Sequence, residues 1–129
     1  MYDCNIVVID DDSITLELVQ IMLEEVTSGE VYVFADSKQA LDYVQSDSMD
    51  QISLVICDWL MPDVSGLDIL AGLRKFKSRC PFLMLTANAT KQLVVDSMRL
   101  GATDFIVKPF HSNDFLNKVE RLIRDADGE

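Results

Sequence analysis

Leu54-Val55-Ile56-Cys57-Asp58-Trp59-Leu60-Met61-Pro62-Asp63 is an apolar run that stops on a carboxylate and then turns. Ile52 to Asp58 has the length and composition of a buried strand. Pro62 and Gly66 punctuate the segment that follows. A carboxylate at the end of such a run lies at the carboxyl edge of a sheet, where open α/β proteins place their chemistry. The spacing therefore marks Asp58 as a reactive residue.

The same unit recurs on both sides. Toward the amino terminus, Asn5-Ile6-Val7-Val8-Ile9-Asp10 reads as a strand ending in acid. A helix follows, capped by Asp12 or Ser13, with Ile14, Leu18, Ile21, Met22 and Val26 as its apolar face and Gly29 as its end. Glu30 to Ala35 is a second strand. Asp36 with Gln39 resembles a capping box for a helix marked by Ala40, Leu41 and Val44, and Ser46 to Gln51 reads as a loop. Toward the carboxyl terminus, Leu67, Leu70, Leu73 and Phe76 keep helical spacing, with Lys75, Lys77 and Arg79 at the end that suits cations. Pro81 to Thr86 is a fourth strand. Val94, Val95 and Met98 lie on a helix ended by Gly101, and Asp104 to Val107 is a fifth strand. Ser112 caps a last helix with Phe115, Val119, Leu122 and Ile123 on one face, and residues 125–129 are expected to fray. Strict alternation with continuous apolar strands predicts an α/β fold: a parallel sheet covered on both faces, in one domain over residues 1–129.

Composition narrows the function. The 129 residues are 49% hydrophobic, enough for a full core. A net charge of −11 argues against direct nucleic-acid binding. The apolar runs are far shorter than the ~20 residues of a membrane span, and no signal-peptide pattern opens the chain. Cys4, Cys57 and Cys80 form no CxxC pair, so neither a structural zinc site nor a disulfide framework is expected, and a cytoplasmic setting fits. His111 reads as a solvent-facing helix-entry residue.

The strand ends bring together Asp10 and Asp11, Asp58, Thr86 and Lys108. An aspartate at one strand end is an ordinary turn former or cap, and a lone threonine or lysine there is ordinary too. Three carboxylates at one rim are not, because they resist joint ionisation unless a cation sits among them. An all-oxygen donor set suits Mg²⁺ better than Zn²⁺. A divalent ion beside a carboxylate, a hydroxyl and an ammonium is equipment for phosphoryl transfer, with the carboxylate as nucleophile.

In this respect the chain resembles the receiver domain of two-component response regulators, over roughly residues 5 to 124. The resemblance is carried by Val8-Ile9-Asp10-Asp11-Asp12, by Asp58-Trp59-Leu60-Met61-Pro62-Asp63 with Gly66, by Leu85-Thr86-Ala87, by Gly101-Ala102 and by Lys108-Pro109-Phe110. It implies a flavodoxin-like (βα)5 sandwich with strand order 2-1-3-4-5. It implies that Asp58 accepts a phosphoryl group from a histidine kinase or phosphotransfer protein, as a signalling switch and not an enzyme. Mg²⁺, with Mn²⁺ as a substitute, would be held by Asp11, Asp58 and the Leu60 main-chain carbonyl, with Asp10 acting mostly through water. Lys108 and the Thr86 hydroxyl would bind the phosphoryl group with help from the Ala87 amide, and Phe105 would be the switch aromatic. Lys108-Pro109 would be cis. The face of helix four, strand five and helix five would then control a downstream protein, an output domain outside this chain, or a homodimer formed on phosphorylation. Leu60 and Asn88, two residues beyond Asp58 and Thr86, would tune phosphoryl lifetime.

Two other readings compete. A haloacid-dehalogenase-type phosphatase also uses an Asp nucleophile and Mg²⁺, but carries a second Asp where this chain has Leu60. A receiver-like binding module that is never phosphorylated would not require Asp58, Thr86 and Lys108 together. A flavin-binding module is weaker still, since no glycine- or hydroxyl-rich loop follows the first strand.

Overall fold

Five short runs rich in β-branched and other apolar residues pair side by side, each followed by a helix that returns the chain to the same edge. The computed structural model describes residues 1–76 and 79–127. In chain order the elements are β1 (Asn5–Ile9), α1 (Ser13–Leu23), β2 (Val31–Phe34), α2 (Ser37–Val44), a 3-10 helix (Asp47–Gln51), β3 (Ile52–Asp58), α3 (Gly66–Phe76), β4 (Phe82–Thr86), α4 (Lys91–Arg99), β5 (Asp104–Val107) and α5 (Ser112–Asp127). The sheet order is β2-β1-β3-β4-β5 and every pairing is parallel. Parallel neighbours need crossovers, and the crossover helices cover both faces, which is why β1, β3 and β4 are apolar on both sides.

Alternation along the strands divides the core in two. Ile6, Val8, Leu54, Ile56, Leu83, Leu85 and Ile106 pack with Leu16, Val19 and Leu23 of α1 and with Phe115, Val119, Leu122 and Ile123 of α5. Val7, Ile9, Val55, Cys57, Phe82 and Met84 pack with Ala40 and Val44 of α2 and with Ile69, Leu70 and Leu73 of α3. Full burial of one such aliphatic or phenylalanine side chain stabilises the fold by roughly 1.5–3 kcal/mol. All three cysteines are free. Among the described residues no helix is long and apolar enough to cross a membrane.

α1 departs most from the sequence reading. Its core face is Leu16, Val19 and Leu23. Ile14, Leu18 and Ile21, expected inside, are 67%, 54% and 61% exposed. The helix carries two apolar stripes, so periodicity alone could not choose between them. It also stops at Leu23, well short of Gly29. Val26 and Thr27 amides both bond the Leu23 carbonyl, and Val26 turns into the core. Beyond it the chain folds back on the amino terminus through Tyr2 N–H to Val26 O (2.8 Å) and Ser28 N–H to Tyr2 O (2.8 Å). Gly29 is required in that crossing, since a Cβ there would lie 2.1 Å from the Cys4 carbonyl oxygen.

The remaining elements fall where the sequence puts them, with smaller adjustments. Asp12 caps α1 and Asp36 caps α2, the latter accepting from the Lys38 and Gln39 amides. The expected loop after α2 contains the 3-10 helix, closed by the Ser46 hydroxyl and pinned by buried Met49. β2 and β4 are shorter than expected by their outermost residues. In α3, Ile69 is buried and Phe76 is 43% exposed. The cation that matters at the end of α3 is Arg74: its Nε and Nη2 donate to the Gly101 carbonyl at 3.1 and 2.7 Å, and Nη1 donates to Cys80 O at 2.7 Å. Lys77 lies outside the described residues. In α4 the buried pair is Leu93 and Ser97, with Met98 exposed. Ser112, expected as a cap, is the first residue of α5, and the helix runs through Asp127 into the segment expected to fray.

The two stripes of α1 give a direct test. Leu23→Ala should cost about 2–5 kcal/mol in urea unfolding through the cavity it leaves, whereas Ile21→Ala should stay within about 0.5 kcal/mol of the parent. Similar losses for both would contradict the orientation of α1.

Candidate functional site

Register assembles the site. Ile9 of β1 pairs with Cys57 of β3, so the next residues, Asp10 and Asp58, stand side by side at the carboxyl edge. Asp58 pairs with Leu85, placing Thr86 one step beyond it on β4, and Thr86 pairs with Val107, after which Lys108 leaves β5. Side chains alternate faces, so Lys108 shares a face with Ile106, Asp58 and Asp10, while Thr86 shares the other with Met84 and Phe105. Phe105 is paired with Met84, two residues before Thr86. They are therefore diagonal neighbours on one face.

Asp10, Asp11 and Asp58 each offer a carboxylate oxygen within 4.8 Å of the others. Asp10 is fully buried, Asp58 nearly so, and Asp11 is exposed. Lys108 answers the buried pair: its Nζ lies 2.7 Å from Asp10 Oδ2 and 3.1 Å from Asp58 Oδ1. The second Asp10 oxygen accepts the Asp12 amide at 2.9 Å. Asp12 itself, third in the acidic run, is turned away to cap α1, accepting from Ile14 N–H and the Thr15 hydroxyl. Those two hydrogen bonds hold its carboxyl below the usual carboxylate range.

Burial raises the pKa of Asp58, and the Asp10 charge raises it further, against the opposing pull of Lys108. For Lys108 burial acts to lower the pKa, but the Asp10 and Asp58 carboxylates outweigh it and hold the ammonium above its usual value. The edge thus carries more buried negative charge than one lysine neutralises. Three carboxylates with exposed Asp11 at the mouth form a hard, all-oxygen donor set, and this chemistry fits Mg²⁺.

The loops hold the rim in place. Lys108 N–H donates to Thr86 O at 2.7 Å, and the Lys108-Pro109 bond is cis, as the resemblance implies. Thr86 is 1% exposed and its Oγ accepts the Asn88 amide at 3.1 Å. After Asp58 the chain turns sharply: Gly66 N–H donates to Trp59 O at 2.7 Å, and a Cβ on Gly66 would lie 2.5 Å from the Asp58 carbonyl oxygen. Asp63 adopts φ 70°, the left-handed region that an aspartate tolerates better than most residues. Leu60 is 72% exposed, and Ala87 and Asn88 are exposed on the adjoining rim. Phe105 is partly buried against the α2–α3 side of the core. His111 is exposed at the start of α5, as expected.

One positioning residue escaped the sequence reading. Ser37, buried at the start of α2, donates to Pro62 O at 2.6 Å and accepts Val64 N–H at 3.2 Å, so it pins the loop that follows Asp58. A serine just after a capping Asp36 carries no separate signal, and only the packing of α2 beside that loop reveals its part.

Residues 6–120 match the family model of the response regulator receiver domain. The chain is 32% identical to the alkaline phosphatase synthesis transcriptional regulatory protein SphR of Synechococcus elongatus, over 96% of this chain and 50% of that protein. It is also 32% identical to the transcriptional regulatory protein FixJ of Bradyrhizobium diazoefficiens, over 95% of this chain and 58% of that one. The chain spans about half the length of these curated relatives. Its fold matches a CheY-like response regulator receiver domain from Methanospirillum hungatei with a TM-score of 0.89 at 24% identity, covering 98% of each chain. With five parallel strands in the order 2-1-3-4-5 and this arrangement of acids and lysine, the chain belongs to the response regulator receiver domain family of two-component signalling.

Proposed function

We propose that Asp58 accepts a phosphoryl group from the phosphohistidine of a partner protein, and that the chain works as a switch and not as an enzyme. The observation that carries this reading is the Asp58 carboxylate at a strand end, gripped by Lys108 at 3.1 Å and within 4.8 Å of the Asp10 and Asp11 oxygens. A carboxylate oxygen of Asp58 attacks phosphorus, the phosphorus–nitrogen bond breaks, and its electron pair leaves on the imidazole, which takes up a proton. Lys108 is already in place to follow the negative charge from carboxylate to phosphoryl oxygen. The Thr86 hydroxyl, which accepts the Asn88 amide, donates its own proton to a phosphoryl oxygen, and the Ala87 amide adds a second donor.

Asp11 and Asp58, with the Leu60 carbonyl, would hold Mg²⁺ or Mn²⁺, and Asp10 would act on it mostly through water. When bound, the cation neutralises charge on the transferring group. Exposed Leu18 lines a groove of about 410 Å³ with Met22, Ala87, Lys108 and Pro109, which would give the donor protein an apolar rim beside the acceptor. Movement of Thr86 toward the phosphoryl group frees space beside Phe105, and the ring's turn reshapes the face of α4, β5 and α5. That face would act on a downstream protein, an output domain outside this chain, or a second copy.

Acetyl phosphate with Mg²⁺ tests the acceptor. The intact protein should gain the mass of one phosphoryl group, and Asp58→Asn or removal of Mg²⁺ should abolish the gain. A phosphatase turning over a phosphomonoester without a stable phosphoprotein would contradict the reading.

Charge balance gives a second test. Because the folded-state pKa of Asp58 is raised from 3.8, its ionisation opposes folding: the favourable contribution is full below 3.8 and is lost as pH rises through the folded-state value. Metal-free Asp58→Asn should therefore melt above the parent at about pH 7, with the gap closing toward about pH 4. Mg²⁺ at a hundredfold excess over its dissociation constant should stabilise the parent by about 2.7 kcal/mol. Asp11→Asn, which changes an exposed side chain, should melt above the parent without metal and lose the Mg²⁺ response. Equal Mg²⁺ responses would remove Asp11 from the site.

The rim gives a third. Exposed Leu60 offers no group to orient an attacking water, so the phosphoryl group should be long-lived, with Asn88 as the polar aid. Leu60→Asn should shorten the phosphoryl lifetime, measured by loss of the phosphoprotein mass after the donor is removed. An unchanged lifetime would contradict this role for Leu60.

A further inference from the structure

β5 leads into Lys108 at one end and carries a second charged arrangement at the other. Asp104, its first residue, is the hub. Its Oδ1 accepts Lys118 Nζ at 3.0 Å and the Phe105 amide at 2.8 Å, and its Oδ2 accepts Arg121 Nη2 at 3.0 Å. β5 is an edge strand, so side chains of α5 reach around it. Lys118 uses that reach: its ammonium lies over the Phe105 ring, 5.6 Å from the centroid. An ammonium within about 6 Å of a ring centroid is attracted to the ring face. Exposed ion pairs add little to stability on their own. What Asp104 does here is orient Lys118, since the same oxygen fixes both the ammonium and the backbone of the residue beneath it.

We propose that Lys118 is a latch on Phe105, and that it sets how readily the domain passes into its signalling arrangement. The inference rests on the reading of Phe105 as the residue that turns when Asp58 is charged. In the structure Lys108 grips the Asp58 carboxylate and the Thr86 hydroxyl takes the Asn88 amide. The latched ring thus occurs together with Lys108 on Asp58 and Thr86 on Asn88, the arrangement that the proposal takes as resting. Turning the ring gives up the contact with Lys118, so the latch weights the equilibrium toward the resting state. A contact of this kind at a partly exposed position is worth about a twofold to fivefold factor in such an equilibrium. While the competent state is a minor population, its fraction enters directly into the apparent affinity of any ligand that selects it. Lys118 is thus a positioning residue: it touches neither the phosphoryl group nor the metal, and acts through Phe105.

The test uses the full chain with saturating Mg²⁺, titrated with beryllofluoride as the phosphoryl mimic and followed by emission of Trp59, the single tryptophan, next to Asp58. Lys118→Met keeps the aliphatic length and removes the charge, and should bind beryllofluoride about twofold to fivefold more tightly than the parent. Lys118→Arg keeps a cation that stacks on the ring and should bind like the parent. Proton NMR supplies a readout that stability alone does not move: the Lys118 ε-methylene protons should be shifted upfield by the ring in the free protein and lose that shift at saturation. Equal or weaker binding by Lys118→Met, or an arginine variant that behaves like it, would overturn the latch, as would a ring-current shift unchanged by beryllofluoride. Absence of any beryllofluoride binding by the parent would instead overturn the phosphoacceptor reading and the latch with it.

Discussion

One ammonium shared between two buried carboxylates is the constraint on which the functional edge depends. Lys108 bonds both Asp10 and Asp58, and exposed Asp11 adds a third negative charge nearby. Removing the lysine would leave two buried carboxylates uncompensated, the kind of loss that costs about 3–5 kcal/mol, whereas removing Asp58 leaves Lys108 paired with Asp10. Yet a single positive charge cannot neutralise three negative ones, and burial adds to the difficulty at Asp58. The edge is therefore held together and held short of neutrality at once. A site of that kind gains from a divalent cation, whose all-oxygen donor preference these carboxylates meet. The neutral alternative, an apolar strand end, would be more stable and would do nothing.

The sheet converts this local balance into placement. Parallel register sets Asp10 beside Asp58, puts Thr86 one step beyond on the next strand and delivers Lys108 from an edge strand. Alternation then separates two tasks. Asp10, Asp58 and Lys108 share the face where charge is balanced. Thr86 and Phe105 share the other. β5 thus leads into the site lysine at one end and carries, in Asp104 with Lys118 and Arg121, a charged clasp at the other.

Much of this was legible because buried parallel strands leave a strong signal. The β-branched runs around Val8 and Ile56 and the exact ending of β3 at Asp58 could be read directly, as could the gathering of Asp10, Asp11, Asp58 and Lys108 at one edge. What failed was whatever depends on choosing between equivalent local patterns. α1 has two apolar stripes, and only docking against β1 and α5 shows that Leu16, Val19 and Leu23 form the inner one. α4 forms where Val94, Val95 and Met98 place it, but that it buries Leu93 and Ser97 was not read from the sequence. Polar residues that act through distant backbone were invisible for the same reason. Ser37 reads as part of a helix start and Arg74 as one more cation near a helix end, until packing brings Pro62 and Val64 to the first and Gly101 and Cys80 to the second.

The most direct measurement is to locate the acceptor residue. The protein is phosphorylated with acetyl phosphate and Mg²⁺, the acyl phosphate is reduced with borohydride, which converts a phosphorylated aspartate to homoserine, and the peptides are sequenced by tandem mass spectrometry. The account predicts homoserine at position 58 and at no other aspartate. Homoserine at position 10, 11 or 63, or at none, would contradict it.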